Sequence, residues 1–366
     1  MPFDAVSNYI CMLAKQLGKS FSVSIFTFTL RDYFVGEILS QRNIAVSFYA
    51  NTQGHTLWHE IKTIIFPFNL SRELMKNDLV LILTERPPFV PILLAKILKP
   101  TLPLVWDFHG ITPPGYNRVT RRYFIEWLRV AIAKQLMKYC DFCIVHSNFM
   151  KTEVQRLFGV DSVVFPLGVD SIRFSPDVSR KLEENSLHDR FTLLYVGRLV
   201  PHKRVDFIIR AIAMLEDPSV NLFIVGSGPE RQKLGNLVKS LSLTDHVFFI
   251  GAISDEELPA FYNASDAFVT ASQHEGVCLP ILESFASGKP VIVPDTAAMP
   301  ETAENGGLVY NPNSVADLVS KIRLLKNDKD IRFTLEKNAL EIAARKSIGK
   351  TFLEIDFFVK GLLNVD

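Results

Sequence analysis

Three strand-to-helix junctions in the second half of this 366-residue chain carry residues suited to a phosphorylated, hydroxyl-rich ligand. The first reads Val196-Gly-Arg-Leu-Val-Pro-His-Lys-Arg204. Gly197 permits a tight turn out of a strand, and Arg198 and Lys203 lie five apart across it. Such junctions aim backbone N–H groups and the positive end of a helix dipole at a crevice mouth. Two cations added there suit a diphosphate, although two solvated surface cations would read the same way. The second junction is Ile224-Val-Gly-Ser-Gly-Pro-Glu230. A dinucleotide fingerprint needs a third Gly where Arg231 stands, so NAD binding is disfavoured. The third is Ser272-Gln-His-Glu-Gly-Val-Cys-Leu-Pro-Ile-Leu-Glu283. Pro280 starts a helix there, Glu275 stands before it, and Glu283 follows one turn inside. The N–H groups of 276–279 face an anion, and the two carboxylates reach hydroxyls on either side of it. A sugar–diphosphate–ribose chain has that order of groups. Taken alone, Glu283 also reads as helix N-terminal electrostatics.

Elements of two domains must position these residues. Strand-like runs lie at 22–28, 45–49, 79–83, 104–108 and 142–146, then at 192–196, 221–225, 247–250, 267–270 and 290–293. Helical patterns fall between many of them, at 7–17, 56–66, 116–139 and 149–157, then at 205–215, 229–240, 255–263 and 280–287. Short β-rich runs alternating with helices predict parallel sheets covered on both faces. Gly and two Pro residues break the pattern at Phe165–Pro176. The expected division is a domain over 1–168, a linker over 169–187, a domain over 188–345 and a final helix within 346–366.

Composition excludes several classes. Hydrophobic residues are 48% and charged residues 22%, which is neither a disordered tail nor a disulfide scaffold. A net charge of +1 argues against nucleic acid as a partner. Residues 1–170 nevertheless hold 18 Lys/Arg against 13 Asp/Glu, and the remainder 22 against 26. Cys140 and Cys143 follow a helical stretch instead of opening one, so they read as structural thiols in a reducing cytoplasm. No zinc-ligand spacing accompanies them. The only Asp-x-Asp, Asp328-Lys-Asp330, sits in a charged helical context and reads as a solvated turn, so no metal site is expected. No signal peptide or spanning segment is seen. The stretch 87–100 is the most apolar, but it is Pro-broken and interrupted by Lys.

Together the motifs Gly-Arg-x4-Lys at 197–203, Gly-x-Gly-Pro-Glu at 226–230 and Glu-x7-Glu at 275–283 resemble the retaining, nucleotide-sugar-dependent glycosyltransferases of family 4. Val247–Gly251, Asn263-Ala-Ser-Asp-Ala267, Ser287-Gly-Lys-Pro-Val-Ile-Val293 and Pro300-Glu301 extend the likeness. It is closest over 190–312 and looser before. The resemblance implies an α/β fold of the GT-B type, two Rossmann-like doubly wound domains facing a cleft, with the C-terminal helix crossing back to the first. It implies that Arg198 and Lys203 hold the donor diphosphate, that Glu275 binds the donor sugar and Glu283 the ribose. Gly197, Gly276, Val277, Cys278 and Leu279 would contact phosphate or sugar, and Gly226, Gly251 and Ile253 would lie near the base. Val277-Cys278 departs from the Phe-Gly of many members. No cofactor or metal is implied beyond the nucleotide sugar as substrate.

In the first domain, Trp106-Asp-Phe-His-Gly-Ile-Thr-Pro-Pro114 ends a strand. The family often places a His there facing the donor sugar, and His109 matches; a His satisfied locally in a loop is the other reading. Alternation puts Asp107 on the same face, as a second acceptor-side candidate. Phe3–Asn8 stands where the family has a Gly-rich loop, but holds no Gly. Members normally carry a strand before that loop, so the first strand of the sheet is expected to be missing. Residues 117–139 interleave Arg118, Arg121, Arg122, Arg129, Lys134 and Lys138 with Phe124, Trp127, Leu128 and Ile132. This stripe suits an anionic membrane surface, which would place the protein peripherally on the cytoplasmic face, or equally a core stripe with a solvated basic back. The expected function is hexose transfer from a nucleotide-diphosphate sugar to a glycan, lipid-linked or small-molecule acceptor. A nucleotide-sugar epimerase and a non-catalytic GT-B subunit are the alternatives.

Overall fold

The computed structural model describes residues 79–82, 89–109, 131–176 and 190–363, the strands at 23–27 and 44–48, and positions 13, 71, 72 and 74–76. Two compact units form. One holds 4–146, 150–165 and 352–366; the other holds 166–351 with 1–3 and 147–149.

In the first unit, β1 (Val23–Thr27) pairs in parallel with β2 (Ile44–Phe48). A four-stranded parallel sheet follows in the order β3 (Val80–Ile82), β4 (Leu104–Asp107), β5 (Phe142–Val145), β6 (Val163–Val164). Its helices include α1 (Phe89–Leu98) and α2 (Asn148–Phe158). The sequence reads α1 as Pro-broken. Pro91 stands in its first turn, where no intrahelical N–H is required, so the helix forms. Leu104, Val105 and Trp106 are fully buried, as expected of a strand covered on both faces. Of the basic stretch 117–139, residues 131–139 are described, and 131–137 are helical. Ala133, Leu136 and Met137 face the core there, while Ile132 is turned outward with Lys134. Arg118, Arg121, Arg122, Phe124, Trp127, Leu128 and Arg129 lie outside the described residues, as do the Phe3–Asn8 loop and the expected helices at 7–17 (apart from Leu13) and 56–66. Cys140 and Cys143 are free thiols, both pushed up by burial, Cys140 to about 12, as suits structural residues.

The second unit is a six-stranded parallel sheet with helices between its strands. In chain order these are β7 (Phe191–Val196), α3 (Val205–Leu215), β8 (Val220–Val225), α4 (Arg231–Ser240), β9 (Val247–Gly251), α5 (Leu258–Asn263), β10 (Ala267–Val269), α6 (Leu279–Ala286), β11 (Val291–Pro294), α7 (Met299–Ala303), β12 (Gly307–Tyr310), α8 (Val315–Asn327) and α9 (Lys329–Arg345). The sheet order β12-β11-β10-β7-β8-β9 is the doubly wound one, which reverses between β7 and β10. Every residue of β7 and β8 is buried, including Thr192 and Asn221. Asp266 satisfies β7 at its start by accepting from Thr192 N at 2.7 Å. The Asp328 carboxylate caps α9, accepting from Asp330 N and Ile331 N. The last helix, α10 (Ile348–Leu363), begins in this unit and passes to the first after Thr351. There Phe358 packs on Phe142 and Phe165, with ring centroids 5.3 and 5.4 Å apart. No helix among the described residues is long and apolar enough to cross a membrane.

Candidate active site

Because every strand of the second sheet runs the same way, the segments after β7, β8, β9 and β10 all emerge at one edge. In sheets of this kind the point of reversal, here between β7 and β10, is the usual ligand position. Arg198 and Lys203 follow β7, and Glu275 follows β10. Gln273 N donates to the His202 carbonyl at 2.8 Å and ties the two segments together. Lys203 Nζ forms an ion pair with Glu275 Oε1 at this point, both side chains mostly buried. The Arg198 side chain is exposed, while its carbonyl accepts from Tyr195 Oη at 3.1 Å. A 3-10 turn over Pro201–Lys203 shapes the approach and ends on Arg204 in the left-handed region, φ 48°. His202 is held down to about 4 by burial and by the neighbouring Lys203, so it is neutral at pH 7.

The Gly-x-Gly of 226–228 has a packing task. A Cβ on Gly226 would stand 2.0 Å from the Gly197 carbonyl oxygen, and one on Gly228 would stand 2.4 Å from that of Leu199. Gly197 N donates to Val225 O at 3.0 Å and Leu199 N to Ser227 O at 2.9 Å. The glycines therefore let the segment after β8 seat the Arg198 loop. Gly226 N in turn donates to Gly251 O at 2.7 Å, so Gly197, Gly226 and Gly251 lie side by side along the edge. Ile253 follows, half-buried.

Glu283 lies in α6, a helix buried all round from Ile281 to Ala286. Burial pushes its carboxyl up to about 7, against the Tyr262 hydroxyl and Arg173, which both hold it down. Tyr262 Oη donates to Glu283 Oε2 at 2.7 Å. Arg173 Nη2 donates to the Asp255 carbonyl at 2.5 Å and its guanidinium covers the Phe174 ring, which meets Tyr262 edge-on. A carboxyl raised above its ordinary 4.5 favours the fold when protonated, so its contribution to stability falls as pH rises from 4.5 through about 7. Tyr262→Phe removes the donated hydrogen bond and raises Glu283 further. If Glu283 binds the ribose, as the resemblance implies, nucleoside diphosphate binding at neutral pH should then weaken by roughly 10- to 100-fold, the worth of a hydrogen bond to a charged group. It should recover at higher pH. Calorimetry across pH checks this, and unchanged neutral affinity would refute it.

Between the two carboxylates, Gly276, Val277 and Leu279 are half-buried and Cys278 is buried. Cys278 precedes α6 at φ −94°, a conformation open to any residue, so the family's Gly is not needed here. Burial pushes its thiol up.

Asp107 and His109 belong to the first unit. Asp107 ends β4 and is buried; His109 follows two residues on. His146, directly after β5, joins them. Its Nε2 is 2.7 Å from Asp107 Oδ1, and His109 Nε2 is 3.6 Å from the same oxygen. One ligand-capable atom from each of the three lies within 4.8 Å of the others.

Two family models divide the chain between them. Glycosyltransferase Family 4 matches residues 6–173, and Glycosyl transferases group 1 matches residues 179–342. The chain belongs to the family 4 glycosyltransferases. Its fold is GT-B, with two parallel-sheet α/β domains. Among curated relatives, the GDP-mannose-dependent alpha-(1-6)-phosphatidylinositol monomannoside mannosyltransferase of Mycobacterium tuberculosis is 28% identical over 59% of this chain and 62% of its own length. The O-antigen chain mannosyltransferase RfbU of Salmonella typhimurium is 30% identical over 63% of this chain and 64% of its own. The matched stretch thus spans less than two thirds of these relatives. Among solved structures, HepE of Anabaena in complex with UDP covers 98% of this chain and 96% of its own, with a TM-score of 0.81 at 20% identity. Sucrose-phosphate synthase from Thermosynechococcus elongatus also reaches 0.81, at 20% identity over 98% and 93%.

In this family 4 chain, the sequence motifs do not include His146, Tyr262 and Arg173. Tyr262 directly precedes the Asn263-Ala-Ser-Asp-Ala267 segment, and Arg173 lies within Phe165–Pro176. His146 is the residue after a strand-like run, with no local pattern to mark it.

Proposed function

We propose that the protein is a retaining hexosyltransferase that moves a hexose from a nucleotide-diphosphate sugar to a hydroxyl of a glycan or lipid-linked acceptor. The Lys203–Glu275 ion pair at the strand-order reversal carries this reading. It sets a mostly buried cation against a carboxylate, with Arg198 on one flank and Glu283 one turn inside α6. The diphosphate of the donor meets Arg198, Lys203 and the N-terminal turn of α6, which neutralise charge as the leaving group departs. Glu275, already held by Lys203, accepts hydrogen bonds from the sugar, and Glu283 accepts them from the ribose. His109 offers a neutral imidazole to the sugar. The acceptor hydroxyl attacks on the face the diphosphate leaves, which retains the anomeric configuration. The two cations supply charge neutralisation without a metal. The mannosyltransferase relatives favour GDP-mannose as donor, and their glycolipid and O-antigen acceptors favour a lipid-linked glycan. Such an acceptor would bring the basic first half to an anionic bilayer.

The test is a thermal-shift panel of GDP-, UDP- and ADP-sugars, followed by turnover with the best donor. A ligand at about 100 times its Kd stabilises by about 2.7 kcal/mol, which is readily seen. The product should keep the donor's anomeric configuration by NMR and form equally with a chelator present. An inverted product would refute retention, and chelator-sensitive turnover would refute metal independence. Flotation with anionic vesicles reads the membrane contact.

A further inference from the structure

Glu301 and the residues Ser147–Phe149 have no part in the scheme above, yet they close a ring of contacts about the loop that carries Glu275. Ser147–Phe149 belong to the unit that holds 166–351. Ser147 is 3% exposed, and its Oγ donates to the Gly276 carbonyl at 2.8 Å. The Phe149 ring meets His274 edge-on, with centroids 5.9 Å apart. Glu301, in α7, fixes the segment that makes these contacts. Its Oε1 accepts from Asn148 N at 2.7 Å and from Asn148 Nδ2 at 2.8 Å, and its Oε2 accepts from Phe149 N at 3.0 Å. A carboxylate that accepts from successive backbone N–H groups at a helix start gains from charge-assisted bonds and from the helix dipole. The approach to α7 returns to the loop. Ala298 N donates to the Glu275 carbonyl at 3.3 Å, and Thr296 Oγ1 donates to that of Gln273 at 3.4 Å. Each of the segments 147–149, 273–276 and 296–301 thus touches the other two.

We infer that Ser147 and Glu301 are positioning residues for Glu275, Ser147 by holding the peptide that follows it and Glu301 by holding the Ser147 segment in place. The inference rests on the reading that Glu275 meets the donor sugar. Gly276 brings no side chain to anchor the loop, so the hold must come through its backbone. The Glu275 and Gly276 carbonyls accept from different segments, which fixes two successive peptides on the C-terminal side of Glu275. Gln273 N, donating to the His202 carbonyl at 2.8 Å, holds the loop on the other side. The Glu275 carboxylate therefore meets Lys203 from a fixed backbone. Without the Ser147 hydroxyl, the Gly276 carbonyl loses this donor and the loop gains freedom. A misplacement of about 1 Å in a group that orients a substrate can cost about 10²-fold in rate.

Ser147→Ala removes only the hydroxyl, and Glu301→Ala removes the acceptor of three N–H bonds. Hydrogen–deuterium exchange of the ligand-free full chain would compare wild type with each variant, alongside initial rates on the donor that wild type uses. In both variants exchange over 274–278 should quicken by at least about fivefold, while exchange over β8 stays within about twofold. The kcat should fall roughly 10- to 100-fold with the donor KM within about threefold, because the diphosphate and ribose contacts remain. A variant that was merely less stable would melt earlier and keep its kcat per folded molecule. Exchange over 274–278 unmoved in Ser147→Ala would overturn the inference. So would quickened exchange with kcat within about twofold of wild type, which would make the contact a structural one. Should Ser147→Ala fail to fold, Glu301→Ala decides by the same two readings. The exchange reading needs no turnover. A wild type that turns over no donor would count against sugar transfer, and exchange would still uphold or overturn the hold on the loop.

Discussion

Lys203→Ala is expected to lower kcat by roughly 10²- to 10³-fold, the usual cost of removing one preorganised group that meets developing charge. Lys203 and Glu275 are 72 residues apart in sequence and paired in the fold. Their side chains are 18% and 15% exposed, so little water screens them. In the proposed reaction Lys203 would lie between two anions, the Glu275 carboxylate and the leaving diphosphate. Its removal leaves Glu275 charged beside that anion, so kcat/KM should fall further than kcat. Stability should fall too, because breaking one side of a buried pair leaves the other charge uncompensated, at a cost of up to about 3–5 kcal/mol when burial is complete. Glu275→Ala should destabilise by the same logic and should also stop donor hydrolysis. The double variant Lys203→Ala/Glu275→Ala separates the two effects. Its melting temperature should recover toward wild type while its turnover stays lost. Melting curves and initial rates of the three variants decide the matter; a Lys203→Ala enzyme within about threefold of wild type would remove Lys203 from the diphosphate site.

Gly226→Ala is expected to destabilise the second domain more than any surface change in it. The added Cβ would stand 2.0 Å from the Gly197 carbonyl oxygen, and φ at Gly226 is +129°. Backbone atoms cannot swing aside as a side-chain end can, so the two loops must separate. Overpacking costs about 1–3 kcal/mol and a disfavoured backbone conformation about 1–3 more. A loss of that size lowers the melting temperature of a domain this large by roughly 5–20 °C. The displaced loop carries Arg198, so donor affinity should fall in the molecules that remain folded. A variant that melts with wild type would show that these loops do not need their close approach.

Much of this was legible in the sequence. The strand-like runs at 192–196 and 221–225 fall on β7 and β8, because strands covered on both faces must be apolar throughout. Helix α3 begins and ends where its apolar pattern does, at 205 and 215. The elements that escaped had weaker local signals. β6 is two residues long, and β12 is a half-buried edge strand. Helices α8 and α9 are rich in charge, with mean apolar character too low to mark a stripe plainly. They form on caps, with Ser314 accepting from Asp317 N and Asp328 from the first turn of α9.

The sequence by itself determined the residue types at each junction: Gly197, Arg198 and Lys203, the Gly226 and Gly228 pair, and Glu275 with Glu283. Turn chemistry and helix starts are local, so spacing along the chain was enough to read them. Only the tertiary structure decided which of these residues meet. The order β9-β8-β7-β10 puts Lys203 beside Glu275, and α5 brings Tyr262 to Glu283 across 21 residues. The register of β4 with β5 brings His146 to Asp107. Protonation depends on those meetings, since burial and neighbouring charge set it, and neither is a property of any stretch of sequence.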